Sequence, residues 1–180
     1  MSLTKRLTRR LLSTAAIATC LVSGAAATVM AQGLPGLTIF GGVEDGYELS
    51  YRLDNQGRSN RFDRYRLRIP ADKMEFAVSR FTITYPDNYD INFDIEDVEF
   101  ELEVDDEDVV IDEVTWNEED RAIDIYPQVN VPANSSIEIV MDDIRNPRAG
   151  FYYFNAFVYS PGDLPMGRYV GTWILNLGGI

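Results

Sequence analysis

The feature that most constrains this chain is a period of two that keeps returning between turn signals. Tyr65, Leu67 and Ile69 alternate with Arg64, Arg66 and Arg68 and stop at Pro70. Phe81, Ile83 and Tyr85 alternate with Arg80, Thr82 and Thr84 and stop at Pro86-Asp87-Asn88. Val98, Phe100, Leu102 and Val104 alternate with Glu99, Glu101, Glu103 and Asp105. Successive side chains of a strand point to opposite faces, so each run sets apolar groups on one side and polar or charged groups on the other. Similar runs at 37–42, 47–53, 109–116, 123–125, 137–141 and 169–177 are separated by Gly, Pro, Asn and Asp clusters. About nine or ten short strands at near-regular spacing predict an all-β, antiparallel, immunoglobulin-like β-sandwich, with a small β-barrel as the alternative closure.

The first 31 residues stand apart from that pattern. Lys5, Arg6, Arg9 and Arg10 precede an apolar run over 11–22, and small residues end at Val29-Met30-Ala31, the three parts of a secretory signal cleaved after Ala31. Thr8-Arg9-Arg10-Leu11-Leu12 partly resembles a twin-arginine signal, and Cys20 sits where a lipoprotein cysteine could. The expected organisation is a signal peptide over 1–31 and one β-sandwich domain over 32–180, exported to the periplasm, the cell surface or the thylakoid lumen.

Two absences narrow the chemistry. The chain holds no histidine, which removes imidazole general bases, Ser-His-Asp and Cys-His systems and histidine zinc sites. Its one cysteine, Cys20, leaves with the signal, so the mature domain has neither disulfides nor thiol chemistry. Cleavage also removes four basic residues, leaving twelve against 29 acidic ones, a net of −17. Such a chain repels nucleic acid and anionic lipid. Eleven of the twelve bases are arginines, whose forked guanidinium suits fixed carboxylate pairing.

The stretch from 144 to 159 joins a turn, Asn146-Pro147 and Gly150, to the densest aromatic run of the chain. A strand beginning near Gly150 sends Phe151, Tyr153, Phe157 and Tyr159 to one face and Tyr152, Phe154 and Val158 to the other. Either it is covered on both sides, or one aromatic row is exposed as an interaction site. Large aromatics in small β domains are mostly buried, so core packing is the default for this run and for Trp116 and Trp173.

Several phrases taken together, Leu37-Thr38-Ile39-Phe40, Arg64-Tyr65-Arg66-Leu67-Arg68-Ile69-Pro70, Phe81-Thr82-Ile83-Thr84-Tyr85-Pro86, Arg145-Asn146-Pro147-Arg148 and Arg168-Tyr169-Val170-Gly171-Thr172-Trp173, resemble a family of small exported cyanobacterial domains of unknown function. The resemblance spans nearly all of the mature chain. It implies a photosynthetic bacterial host and a place outside the cytoplasm, and it implies no activity and no catalytic residues.

Three groups of residues compete as sites. Arg64, Arg66 and Arg68 could bind an anionic glycan or an acidic partner, but a cross-strand ladder with Glu99, Glu101 and Glu103 is favoured, at roughly 0.2 to 1 kcal/mol per facing pair. Asp90, Asn92, Asp94, Glu96 and Glu101 match positions of a calcium-loop pattern, yet Ile95 stands where the turn needs glycine. A looser calcium site at Asp105, Asp106 and Asp108, shared with Asp142 and Asp143, would relieve carboxylate repulsion. The third group is the aromatic row Phe151, Tyr153, Phe157 and Tyr159.

The reading that joins these points is a non-enzymatic exported binding or structural module that docks a protein or glycan in the cell envelope. A calcium-stabilised surface or adhesion domain is the alternative, and a carboxylate-based glycoside hydrolase ranks last. No catalytic or cofactor-binding residue is assigned.

Overall fold

The computed structural model of the chain describes residues 37–38, 42–89, 97–162 and 167–178. The signal-peptide assignment and the calcium-loop residues Asp90, Asn92, Asp94 and Glu96 lie outside the described residues. Among those described, thirteen strands run in order: β1 (Leu37–Thr38), β2 (Gly42–Val43), β3 (Glu48–Leu49), β4 (Tyr51–Leu53), β5 (Phe62–Ile69), β6 (Arg80–Thr84), β7 (Glu99–Val104), β8 (Glu107–Val109), β9 (Ile111–Asn117), β10 (Ala122–Pro127), β11 (Ile137–Arg145), β12 (Gly150–Tyr159) and β13 (Gly167–Leu177). A short 3₁₀ turn occupies Ala71–Lys73. β1 and β2 form a small hairpin sheet. A six-stranded sheet runs β3-β13-β12-β6-β10-β9, and a five-stranded sheet runs β4-β5-β11-β7-β8.

The two larger sheets face each other as a sandwich, so the barrel alternative is set aside. Phe81, Ile83, Phe154, Val158, Trp173 and Leu175 fill the interior from the six-stranded sheet, and Leu67, Ile69, Leu102, Ile139 and Met141 fill it from the other, all buried. Trp173 is fully enclosed and its indole N–H crosses between the sheets to the Arg68 carbonyl at 3.0 Å, which satisfies the one polar atom that burying the ring would strand.

Two details mark the sandwich as immunoglobulin-like. The strand expected over 47–53 is divided at Ser50: β3 pairs parallel with β13, whereas β4 pairs antiparallel with β5, so the opening strand serves both sheets. Near the start of β12, the Tyr152 hydroxyl donates to the Arg148 carbonyl at 2.8 Å, a tyrosine corner closing the turn before the strand.

That turn works differently from expectation. Positive φ in this part of the chain belongs to Asp143, at the bulge of β11, and not to Gly150. Asn146 is buried. Its amide donates at 3.1 Å to both the Arg58 carbonyl and the Asp63 carboxylate, while its own oxygen accepts from the Tyr65 hydroxyl. Asp63, 1% exposed, also takes the backbone N–H groups of Asn55 and Gly57, each at 2.7 Å. One carboxylate thereby organises the 54–57 turn and ties it to the turn before β12. Gly57 must be glycine here, because φ is +65° and a Cβ would meet Leu53 Cδ1 at 2.9 Å.

Candidate functional site

The aromatic run resolves into two rows. Tyr152, Phe154, Ala156 and Val158 point into the core, and Phe151, Tyr153, Asn155, Phe157 and Tyr159 point to the outer face of the six-stranded sheet. Phe151 is 61% exposed and Tyr153 40%. Tyr152 and Phe154 therefore belong to the core with Trp173. Trp116 faces inward beside Ile123 and donates from its indole to the Tyr85 hydroxyl at 2.7 Å.

Strand register builds the surface outward from that row. Phe151 is opposite Asn176, Tyr153 opposite Ile174, Asn155 between Thr172 and Thr84, and Phe157 between Tyr169 and Thr82. Tyr169 reaches this face through a bulge. Ala156 pairs with Gly171 but Phe157 pairs with Tyr169, so the extra residue, Val170, sinks into the core and reverses the sidedness that simple alternation predicts. Tyr169 then stacks on Tyr47 with centroids 5.5 Å apart and planes 11° apart, and lies 5.6 Å from Phe157. Burial raises its hydroxyl above the usual tyrosine range, against the hydrogen bond to Thr172.

A polar line crosses the aromatic field. The Thr172 hydroxyl donates to Asn155 Oδ1 at 2.7 Å, and Asn155 Nδ2 donates to Thr84 Oγ1 at 3.3 Å. At the far end the Arg80 guanidinium lies 3.8 Å from the Tyr159 ring centroid and 3.6 Å from Asp124 Oδ2. The same ring packs against Gly167, where a Cβ would come within 2.6 Å of it. Tyr159 is thus held, whereas Phe151 and Tyr153 are open. From the Phe151–Asn176 pair to the Phe157–Tyr169 pair, every outward position on β13, β12 and β6 is uncharged.

The arginine stripe is placed on the outer face of the other sheet, and its partners need correcting. β5 does not lie beside β7; β11 runs between them, since its own alternation fits both neighbours. Arg66 bonds Glu138 at 2.8 Å and Asp54 at 3.1 Å, and Arg68 bonds Glu138 at 2.6 Å. Arg64 reaches Asp142 at 3.2 Å and contacts Glu101, the one glutamate of β7 that takes part in an ion pair among the described residues. Burial opposes ionisation of Glu138, yet hydrogen bonds from Arg66 and Arg68 outweigh it and hold the carboxyl below its usual range. The stripe is occupied by its own fold.

The acidic candidates are not brought together. Asp105 and Asp106 form the tight β7–β8 turn, with φ of +52° and +65°, and the acidic run continues from it as β8. The Asp105 carboxylate accepts from Ser136 N at 2.8 Å and Ser136 Oγ at 3.0 Å, which lowers its pKa. Asp142 lies at the other end of the β7–β11 pairing, opposite Glu99, with Asp143 beside it in the bulge; Asp108 is on β8. Among the described residues no group of three or more metal-ligating side chains is clustered.

Residues 37–177 match the model of a family described as "Protein of unknown function (DUF2808)". No curated protein matches the chain. Similar solved structures include BslA, a bacterial hydrophobin, at 12% identity and TM-score 0.43, covering 74% of this chain and 95% of that one. An uncharacterized protein from Nocardia farcinica with an immunoglobulin-like fold aligns at 9% identity and TM-score 0.43, covering 74% and 99%. The collagen-binding domain from a Staphylococcus aureus adhesin aligns at 10% identity and TM-score 0.36, covering 73% and 96%. At these scores the likeness carries no inference about a ligand.

Proposed function

The chain belongs to the DUF2808 family, whose function is unknown, and on that premise we propose that it is a non-enzymatic binding module that docks a neutral glycan of the cell envelope on the outer face of its six-stranded sheet. The observation that carries this reading is the open row of Phe151 and Tyr153 within the uncharged stretch of β13, β12 and β6. A ring presents a negative π face to polarised C–H groups, which is what one side of a pyranose offers. The neighbouring Asn155 and Asn176 supply amide groups for sugar hydroxyls, while the buried Thr172 holds Asn155 in place, the pairing of apolar platform with a few placed polar groups that binding sites use. The strong acidity of the domain favours an uncharged ligand over an anionic one.

The reading includes export behind a cleaved signal over 1–31 and work outside the cytoplasm, in the cyanobacterial setting that the family resemblance implies. Among the described residues no helix is long and apolar enough to cross a membrane. The absence of histidine supports a binding role over a catalytic one.

Affinity electrophoresis of the 32–180 chain in gels containing a soluble β-glucan, a mannan or a dextran tests it. Retardation by at least one polymer, lost in the Phe151→Ala, Tyr153→Ala double variant, is expected. No retardation, or retardation that the double variant keeps, overturns the glycan reading. Capture of an envelope protein that depends on the same two rings would replace it with protein docking.

A further inference from the structure

A second surface lies at the opposite side of the six-stranded sheet from β13. β8 ends the five-stranded sheet and β9 ends the six-stranded one, and the chain passes from one edge to the other at Val110. A groove of about 490 Å³ opens there, lined by Phe100, Leu102, Val109, Val110 and Ile111 with Glu101 and Asp108. Val110 is 64% exposed, and Val129, 63% exposed, follows Gln128, whose N–H bonds the Val110 carbonyl. Among the described residues β9 has β10 as its only strand neighbour, and an edge strand beside exposed valines would ordinarily invite association with any extended chain.

Charge decides which chain. Residues 99–120 contain twelve acids and no base, and among the described residues Glu101 alone of the twelve is ion-paired. That field repels a second copy of this domain, which carries a net of −17 once the signal is removed. It attracts a cationic chain. The fold itself shows what satisfies such an edge, since β5 lies against the acid-bearing β11 with Arg64, Arg66 and Arg68 outward and Tyr65, Leu67 and Ile69 inward.

We infer that the β9 edge takes up an extended cationic segment of a partner protein as an added strand, its Lys or Arg side chains meeting the acids and its alternate apolar side chains entering the groove. β9 spans seven residues, Ile111–Asn117, and sets the length of the segment. This surface is separate from the aromatic face, so the domain would bridge a glycan and a basic protein segment, and either surface can fail without the other.

The test uses a fluorescently labelled seven-residue peptide alternating Arg and Val, read by anisotropy on the 32–180 chain. Saturable binding is expected, weakened at least tenfold between 50 and 500 mM salt and at least tenfold by N-methylating alternate residues of the peptide. The Asp112→Lys, Glu113→Lys variant should lose binding tenfold or more, and both positions are exposed, so folding is spared. The Phe151→Ala, Tyr153→Ala variant should bind the peptide as wild type does. Equal binding of the N-methylated peptide would reduce the interaction to charge attraction and overturn strand addition. Unchanged binding by the double-lysine variant, or no binding at all, overturns the site.

Discussion

The outer faces of the two sheets solve the same problem in opposite ways. On the five-stranded sheet, Val140 points outward between Arg66 and Glu101, yet it is fully buried because long charged side chains lie across it. Those side chains are held by one another, with Glu138 shared between Arg66 and Arg68 and Asp54 between Arg52 and Arg66. On the six-stranded sheet the outward positions of β13, β12 and β6 from the Phe151–Asn176 pair to the Phe157–Tyr169 pair are uncharged, and Phe151 and Tyr153 stay exposed. Arginine is spent on closing one face and aromatic area on opening the other. A face closed by its own ion pairs contributes to stability, and an open neutral face is available to a ligand.

The largest expected effect comes from breaking the closed face. Arg66→Glu sets a third carboxylate against Asp54 and Glu138 and uncovers Val140, and should cost about 2 kcal/mol, or about 4 to 8 °C in Tm for a domain of this size. A melting curve within about 1 °C of wild type would show that the ladder contributes nothing. Titration probes the same contacts. Glu138 and Asp54 are held below their ordinary values of 4.5 and 3.8 because hydrogen bonds from Arg66 and its neighbours outweigh burial. Their folded-state pKa values are depressed, so the stabilisation is present above pH 4.5 and is lost as acid protonates the unfolded chain first. Discounted for solvent exposure, Tm measured against pH should fall by the equivalent of about 1 kcal/mol below pH 4.5, and Arg66→Glu should flatten that dependence.

The comparison also shows what alternation can convey. Which residues share a face was readable for β5, β7 and the start of β12, since the period of two is local. Strand neighbours were not. The arginines of β5 and the glutamates of β7 looked complementary, but both strands pair with β11, and that choice belongs to long-range packing of Ile137, Ile139 and Met141. One extra residue, Val170, was enough to move Tyr169 to the outer face, and no local signal announces a bulge. Asn146 read as a turn residue and is one, but its burial against Asp63 depends on a segment more than eighty positions away. The site was half legible for the same reason: periodicity gave the two aromatic rows, and only the sheet stacking told which row faced out.

A smaller effect separates held from open rings within the aromatic face. Tyr159→Leu removes the ring that Arg80 and Gly167 enclose, and should cost about 1 kcal/mol through the lost cation–π contact and imperfect repacking. Equal stability of this variant and wild type would mean that the Arg80 contact is incidental.

The smallest effect on stability should accompany the loss of binding. Phe151 and Tyr153 already sit in water to 61% and 40%, so removing their rings gives up little buried area, and the Phe151→Ala, Tyr153→Ala variant should melt within about 0.5 kcal/mol of wild type. Retention of that variant by the polysaccharide that retards wild type should nevertheless vanish. If the variant instead lost several degrees while keeping its affinity, the two rings would be structural, and the difference between a closed face and an open one would disappear. Conserved stability with lost retention places the ligand on this row, because no other explanation for weakened binding, whether misfolding or a shift in register, leaves the melting curve untouched.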